Sequence, residues 1–507
     1  MTFSEQAAAM KHEDVATLLA RFDELTRQLE WFKQQLFGSK SERRLLEPDA
    51  RQLALGEWKL PDIEAAESTV AEHKRRARPA CVDKDESDLR FDETVPIEEI
   101  ILRPEGVEAN AEVISTKVTM RLAQRPSSYV VLKYIRPVLK AKDGSLVCAP
   151  APDGVLGKSI ADVSLLACMV IDKFSYYLPL YRQHQRMKAS GIRLARSTLT
   201  KLIHRTANLL KPIYGAQLQS ILESKVLAMD ETPIKAGRKR HGKMKTGYFW
   251  PLYGDRDEVA FPFSDTRAAS MVHETLGEFE GVLTTDAYSA YDSYVQQVNT
   301  TVHAHCWSHL RRAFLKAENI EPELTATALE FIRHLYRAEG ELKRREGEKK
   351  LEQRARLSKP IADEFFEWLK HTLDTRLLLP SNPFTAAAGY ALDREASFRV
   401  FLEYPDVPLD TNHLERQIRP IALGRKNWLF CWTEIGAEAV GIFQSLLSTC
   451  RLHGVDPYTY LVDVLQRVDD HPMSDVEALT PRLWKQRFAE QPKRAALDRM
   501  QVKNALP

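Results

Sequence analysis

From Leu18 onward, apolar residues recur at Leu18, Phe22, Leu25, Leu29, Phe32 and Leu36, with polar or charged residues in most of the gaps, and Gly38 closes the run. Steps that alternate between four and three make a heptad seam. This predicts a coiled-coil segment over 1–44 that could join two chains, or an amphipathic helix lying on its own domain. The pattern then lapses over 45–95, a charged stretch containing "EHKRRARP" at 72–79, which reads as a linker. Alternation with a period of two takes over in "VISTKVTMRLA" and "SYVVLKYIRPVLKA" and closes with a "KDG" turn, predicting a small β-rich module over 96–155. Helical spacing returns over 156–220. There "PLYRQHQRMKASGIRLARSTLTKLIHR" (179–205) places one helix, a turn centred on Ser190 and Gly191, and a second helix carrying Arg196, Ser197, Thr198, Lys201 and Arg205. A helix-turn-helix that sets its second helix on DNA has this form, and so does an ordinary helix pair joined through glycine.

Strand patterns resume at "KVLAMDE" (225–231), "TGYFWPLYG" (246–254) and "EVAFPFS" (258–264). After the helix-like "TRAASMVHETLGEF" come "GVLTTDAY" (281–288), "TTVHAHC" (300–306) and a helix through "SHLRRAFLKA". Three strands, a helix and two further strands, each followed by helix, predict a mixed α/β sheet within 221–435. Residues 318–400 read as helical, including the charge-dense "RAEGELKRREGEKKLEQRARLSK", most simply a solvated long helix; "DTNHLERQIRPIALGRKNWLF" and the segment 436–507 are helical as well.

Composition narrows the class. A chain of 507 residues with 44% hydrophobic content has material for roughly three cores. Its longest apolar runs, such as "VSLLACMVI" at 163–171, fall short of the roughly 20 residues that cross a bilayer, and "MTFSEQAAAMKHED" lacks the apolar core of a signal peptide. The expectation is a cytoplasmic protein. Six cysteines (Cys81, Cys148, Cys168, Cys306, Cys431, Cys450) without a CxxC pair argue against a disulfide framework and a four-cysteine zinc module. A net charge of +2 neither predicts nor excludes nucleic acid, so the placing of the cations matters more than their sum.

Asp230 ends the apolar strand "VLAMD" and Asp286 ends "GVLTTD". Buried strand ends tolerate a bare carboxylate only when a partner or a metal compensates it, and Mg²⁺ is typically held by one or two carboxylates with phosphate and water completing its shell. Glu415 is the third candidate acid. On its helix Leu414, Ile418 and Ile421 form the packed stripe, and Asn412, Glu415 and Arg419 share a neighbouring face; an i,i+4 pair with Arg419 is the competing role. Cations gather by each acid: Arg238, Lys239, Arg240, Lys243 and Lys245 in "AGRKRHGKMKTG", Arg311 and Arg312 after the strand at 300–306, and Arg416, Arg419, Arg425 and Lys426 around Glu415. Metal-holding acids ringed by cations suit a phosphodiester substrate.

"VHAHCWSHLRRAF" (302–314) contains three histidines and Cys306. Cys306 and His309 make only half of a tetrahedral zinc set, and strand alternation puts His303 and His305 on one face with Cys306 on the other. Three roles stay open: Cys306 and His309 bracing the core, His305 or His309 touching DNA or the acids, and zinc binding.

The order "MDET", "TTDAYSAY", "HAHCWSHLRR" and "LDTNHLERQIRPIALGRKNWLF", with "WFKQQLFGSKSER" at 31–43 and "FSYYLPLYRQ" at 174–183, resembles the insertion sequence 66 family of bacterial DDE transposases. The likeness spans nearly the whole chain. It implies a ribonuclease H-like catalytic core with Asp230, Asp286 and Glu415 as the acidic triad, interrupted by a helical insertion at 318–400, which accounts for the long gap before Glu415. It further implies two Mg²⁺ or Mn²⁺ ions per site, about 3.5–4 Å apart; double-stranded DNA as partner, both transposon ends and target; a homodimer or higher oligomer on DNA; and accessory proteins of the same element. It makes the heptads a zipper and 174–210 the DNA-binding region. Family members often carry cysteine pairs in the β-rich module, but this chain lacks them there, so no structural zinc is expected. Two other functions share these residues: a catalytically silent DNA-binding or assembly protein derived from a transposase, and a metal-dependent nuclease without strand transfer.

Overall fold

The computed structural model describes residues 90–91, 95–104, 113–125, 128–141, 145–240, 243–342, 345–376, 378–428, 431 and 433–499. The heptads of 1–44, most of the stretch 45–95 and Cys81 lie outside them.

The β-rich stretch contains β2 (Ile97–Ile101), β3 (Val113–Arg125), β4 (Ser128–Lys140) and β5 (Leu146–Cys148); β4 pairs antiparallel with β3 and β5 and parallel with β2. Alternation along β4 gives this sheet two covered faces. Tyr129 and Val131 join the core of the neighbouring helices, and Val130, Leu132 and Tyr134 pack with Leu497 from the C-terminal segment. The short β1 (Arg90–Phe91), within the stretch read as linker, pairs with β6 (Ile192–Arg193).

Three helices follow: α1 (Val163–Phe174), α2 (Leu180–Ala189) and α3 (Arg196–Leu222). Asp162 caps the first, accepting from the Ser164 N–H at 3.0 Å. Between α2 and α3 Gly191 takes φ +81°, which only a residue without Cβ adopts at little cost, so the turn falls where the sequence placed it. Helix α3 buries Leu199, Leu202, Ile203, Leu210, Ile213 and Ile221, the stripe expected of one helical face.

The three strands expected at 225–231, 246–254 and 258–264 are instead six: β7 (Val226–Met229), β8 (Thr232–Arg240), β9 (Lys243–Phe249), β10 (Leu252–Gly254), β11 (Val259–Ala260) and β12 (Phe263–Ser264). Pro251 and Pro262 each lack the N–H that a continuous ladder needs, so the chain changes sheet at both prolines. Strands β8, β9 and β12 form a separate sheet, and the basic stretch 236–247 is largely a β-hairpin on it. The others join β13 (Gly281–Thr285) and β14 (Thr301–His305) in the order β11-β10-β7-β13-β14. Here β7, β13 and β14 are parallel, and β10 and β11 complete an antiparallel meander. Leu227, Met229 and Leu283 face one core, with α4 (Ser270–Leu276) and α5 (Ser289–Gln297). Val226, Val282 and Ala304 face another, with α6 (Trp307–Leu315), α7 (Pro322–Glu341), α8 (Gly347–Thr375), α9 (Pro383–Asp393) and α10 (Glu395–Arg399).

Helices α7 to α10 fill the segment 318–400 around Trp307, Phe314, Phe365, Phe366, Phe384 and Phe398. The chain then returns to the sheet as α11 (Asn412–Trp428), followed by α12 (Glu434–Leu452), α13 (Pro457–Leu465) and α14 (Pro481–Arg487). Helix α12 packs into a continuous core that also includes α1, α3 and part of the β-rich sheet.

Candidate active site

Parallel strands end on the same side of their sheet, and loops leaving that edge can converge. Because Ala228 pairs with Thr284, the residues two places on, Asp230 and Asp286, leave adjacent strands at the same level. Neither side chain is fully buried. Asp230 accepts from the Glu231 N–H at 2.7 Å, and Asp286 accepts from the Tyr288 N–H at 2.9 Å, so each carboxylate is oriented by its own turn. Burial raises the Asp230 carboxyl to about 7; the Glu231 N–H opposes that shift, while the charges of Glu231, Asp286 and Glu415 add to it.

Glu415 arrives from 129 residues downstream of Asp286 because the first turn of α11 is pinned to the end of β14. Cys306, fully buried at the start of α6, accepts from the Thr411 N–H and hydroxyl, each at 3.3 Å. Trp307 N–H donates to the Leu409 carbonyl at 3.1 Å, and Tyr336 from the helical segment donates to Asp410 at 2.6 Å. Glu415 lies one turn into the helix so anchored. Its ion pair is with Arg312 on α6, not with Arg419 as its own helix offered, and His309 Nε2 stands 3.7 Å from the same carboxylate oxygen.

Asp230, Glu231, Thr232, Arg312, Asn412, Glu415, Arg416, Ile418, Arg419 and Ala422 line one open pocket of about 600 Å³. Asp286 flanks it from the next strand without lining it. Ile418, placed by sequence in the packed stripe, is only partly buried and belongs to the pocket wall, whereas Leu414 and Ile421 are in the core. Of the cations expected to meet DNA, Arg312, Arg416 and Arg419 line the pocket; Arg425 instead donates to the Pro233 carbonyl at 2.6 Å, tying α11 to β8. Arg196, Lys201, Arg238, Lys239, Arg311 and Lys426 are exposed and lie outside the lining; of Arg240 only the backbone is described. Arg196 stacks over the Tyr181 ring at 4.6 Å.

Glu231 is the pocket residue that sequence reasoning missed. It is held by Arg267 and by the Tyr291 hydroxyl at 2.9 Å, and Arg267 lies 4.0 Å over the Tyr288 ring. Its position beside Asp230 in "MDET" was the available signal. The donors fit a hard divalent cation, since Asp230, Asp286 and Glu415 offer only carboxylate oxygens and the elevated Asp230 pKa marks a charge that lacks full compensation. Arg312 and His309 both approach Oε1 of Glu415, so the second oxygen of that carboxylate is the one placed to serve as a ligand. The histidines of 302–314 separate: His309 faces Glu415, whereas His303 and His305, with ring centroids 4.3 Å apart and tilted at 53°, lie beside Asp292. Burial depresses His303 to about 4 and His305 to about 2, so both are neutral at pH 7. Cys306 and His309 face different partners and form no common metal set.

Fold and pocket together define a mixed α/β protein with a helical C-terminal region and an acidic, arginine-rimmed cleft. The family model described as "Transposase IS66 family" matches residues 158–439, "IS66 C-terminal element" matches 445–482, and "Transposase C of IS166 homeodomain" matches 24–100. The chain belongs to the IS66 family of transposases, for which DNA is the partner. It is similar to three uncharacterized proteins of Sinorhizobium fredii (strain NBRC 101917 / NGR234). Identity with y4hP is 28%, covering 91% of this chain and 88% of that one. With y4jD it is 30%, covering 71% and 74%, and with y4qI 30%, covering 71% and 70%. No helix among the described residues is long and apolar enough to cross a membrane.

Proposed function

We propose that this chain is a cytoplasmic DNA transposase of the DDE type, with a ribonuclease H-like core, that cleaves insertion-sequence ends and joins them to target DNA. The carrying observation is the convergence of Asp230 and Asp286, at adjacent parallel strand ends, with Glu415 beside Arg312, Arg416 and Arg419. A meander of three strands followed by two parallel ones, with the central strand carrying the first acid, supports the ribonuclease H-like reading. The three acids would hold Mg²⁺ or Mn²⁺, which when bound supplies neutralisation of the scissile phosphate and a lowered pKa for the attacking hydroxyl. Asp230 must give up its proton to take that role. Arg312 then turns from Glu415 to the phosphate, and Arg416 and Arg419 hold the neighbouring phosphates in line.

Outside the pocket, Arg196 and Lys201 on α3 and Arg238, Lys239 and Arg240 on the β8–β9 hairpin extend the DNA path. Arg311 and Lys426 take its other flank, Arg425 holds α11 to β8, and the heptads pair two chains. Cys306 and His309 position Glu415. The deciding experiment incubates the purified full chain with a DNA end from the element and Mg²⁺, scoring cleavage and joining separately. Both products support a transposase; cleavage without joining makes the chain a nuclease, and DNA binding without either product makes it a silent assembly protein.

A further inference from the structure

Asp292 on α5 and His303 and His305 on β14 place one ligand atom each within 4.8 Å of one another, a grouping separate from the carboxylate pocket. Residues two apart on a strand share a face, which brings the two imidazoles together against the helix. His303 Nδ1 stands 3.5 Å and His305 Nε2 4.0 Å from the same Asp292 oxygen, both too long for good hydrogen bonds. The His305 side chain is 1% exposed, and neither of its ring nitrogens has a hydrogen-bond partner. An orphaned buried imidazole costs desolvation with nothing to offset it.

The hydrogen bonds around His303 sharpen this. Thr285 Oγ1 lies 2.8 Å from the Asp286 carbonyl and 2.8 Å from His303 Nε2. A carbonyl can only accept, so satisfying both contacts assigns the Thr285 proton to Asp286 and makes His303 Nε2 the N–H donor to Thr285. His303 Nδ1 is then a bare lone pair facing a carboxylate, two acceptors with no proton between them. The other Asp292 oxygen is taken by Arg394 at 3.1 Å, which leaves the histidine-facing oxygen free. The rings of Tyr390 and Phe398 lie 6.4 and 5.5 Å from that of His305.

We propose that Asp292, His303 and His305 bind a borderline transition-metal ion, Zn²⁺ first among them, as a structural clamp beside the carboxylate pocket. Two neutral imidazoles and one carboxylate are zinc-type donors, whereas an oxygen-only set would suit Mg²⁺. Zinc bonds of about 2.0–2.1 Å need ligand atoms roughly 3.3 Å apart, so small side-chain rotations close the set. The bond from His303 Nε2 to Thr285 is the outer contact that orients a ligating imidazole, and Arg394 does the same for Asp292. Through Thr285 the clamp reaches the backbone of Asp286, and through Arg394 it reaches the helical segment. The Arg394 charge opposes a dication, so without metal the alternative is an Asp292–Arg394 pair beside two uncharged rings.

The test treats the full-length protein with EDTA, dialyses it against Zn²⁺, and measures bound zinc per chain by elemental analysis. Wild type, His305→Ala, Asp292→Asn and the pocket double variant Asp230→Asn/Glu415→Gln are compared. Wild type and the pocket variant should each retain one zinc, while the two site variants bind it at least about tenfold more weakly. Co²⁺ in place of zinc, with water as the fourth ligand, should give the intense visible spectrum of a four-coordinate site in wild type and the pocket variant and lose it in the two site variants. Should His305→Ala not fold, zinc-dependent elevation of Tm in wild type and its loss in Asp292→Asn carry the same test. Wild type that holds no zinc, zinc binding undiminished in the site variants, or zinc lost from the pocket variant would each overturn the proposal. The pocket variant also separates this inference from the transposase reading, because its loss of DNA cleavage leaves the zinc site intact.

Discussion

The two polar clusters at the carboxyl edge of the sheet lie on either side of Asp286 and differ in almost every physical respect. The Asp230–Glu415 pocket is open, built from oxygen donors and rimmed by arginines, and its acids come from two strands and a helix distant in sequence. The Asp292–His303–His305 cluster is more enclosed at its imidazoles, with two nitrogen donors from one strand and a carboxylate from one helix. Openness decides what each can hold. A cleft with solvent access and surrounding cations admits a polyanion and its metal together, whereas two buried neutral imidazoles beside a carboxylate suit an ion that stays.

The largest effect expected from breaking this comparison is chemical. Asp230→Asn, Asp286→Asn or Glu415→Gln should lower end cleavage by about a thousandfold or more while leaving DNA binding within a few-fold, because each removes a ligand needed only for the reaction. Strand transfer at the wild-type rate in any of the three, measured on a labelled DNA end, would sink the assignment.

The next effect concerns stability. The folded Asp230 carboxyl titrates near 7 in the metal-free chain, against about 3.9 when unfolded. Its folded pKa is raised, so protonation favours the fold; that contribution is complete below about pH 4 and lost as pH rises through 7. Asp230→Asn should therefore stabilise the metal-free protein by on the order of 2 to 4 kcal/mol at pH 8 and by almost nothing near pH 4. Urea unfolding at the two pH values checks it, and an equal effect at both would remove the burial argument. Mg²⁺ competes with the same proton, so its affinity should climb with pH toward 7.

A smaller loss follows from the joint beneath Glu415. Cys306→Ala removes the acceptor of the two Thr411 hydrogen bonds without adding atoms to the buried site, for a cost of about 1–3 kcal/mol. The missing anchor should also lower cleavage more than DNA binding, and a variant with unchanged stability and activity would make the Thr411 bonds incidental. Finest of all, neutralising Arg416 and Arg419 to glutamine should reduce the slope of log affinity against log salt by about one for each phosphate that is no longer neutralised. Fluorescence anisotropy over a salt series reads this directly, and an unchanged slope would make both arginines structural.

Much of the architecture was legible because local rules govern it. Apolar strands ending in Asp230 and Asp286 announced carboxylates at the sheet edge, the stripe of α3 followed helical spacing, and Gly191 marked a turn that requires positive φ. The strand count between 225 and 264 was not legible because Pro251 and Pro262 do more than edge a strand: they move the chain from one sheet to another, and which sheet receives it depends on distant partners. Glu231 was legible only as the neighbour of Asp230 in "MDET", because the Arg267 and Tyr291 that hold it come from distant elements.

The sequence by itself determined which residues could carry charge at a strand end, where turns must fall and which helical face is apolar, since these depend on neighbours a few positions away. Only the tertiary structure decided that Glu415 pairs with Arg312 rather than Arg419, that Cys306 secures the helix of Glu415, and that His303 and His305 meet Asp292 instead of Cys306 and His309. Each of those outcomes depends on side chains from separate elements that packing alone brings within reach, and a four-residue spacing along one helix cannot foresee a stronger partner arriving from another.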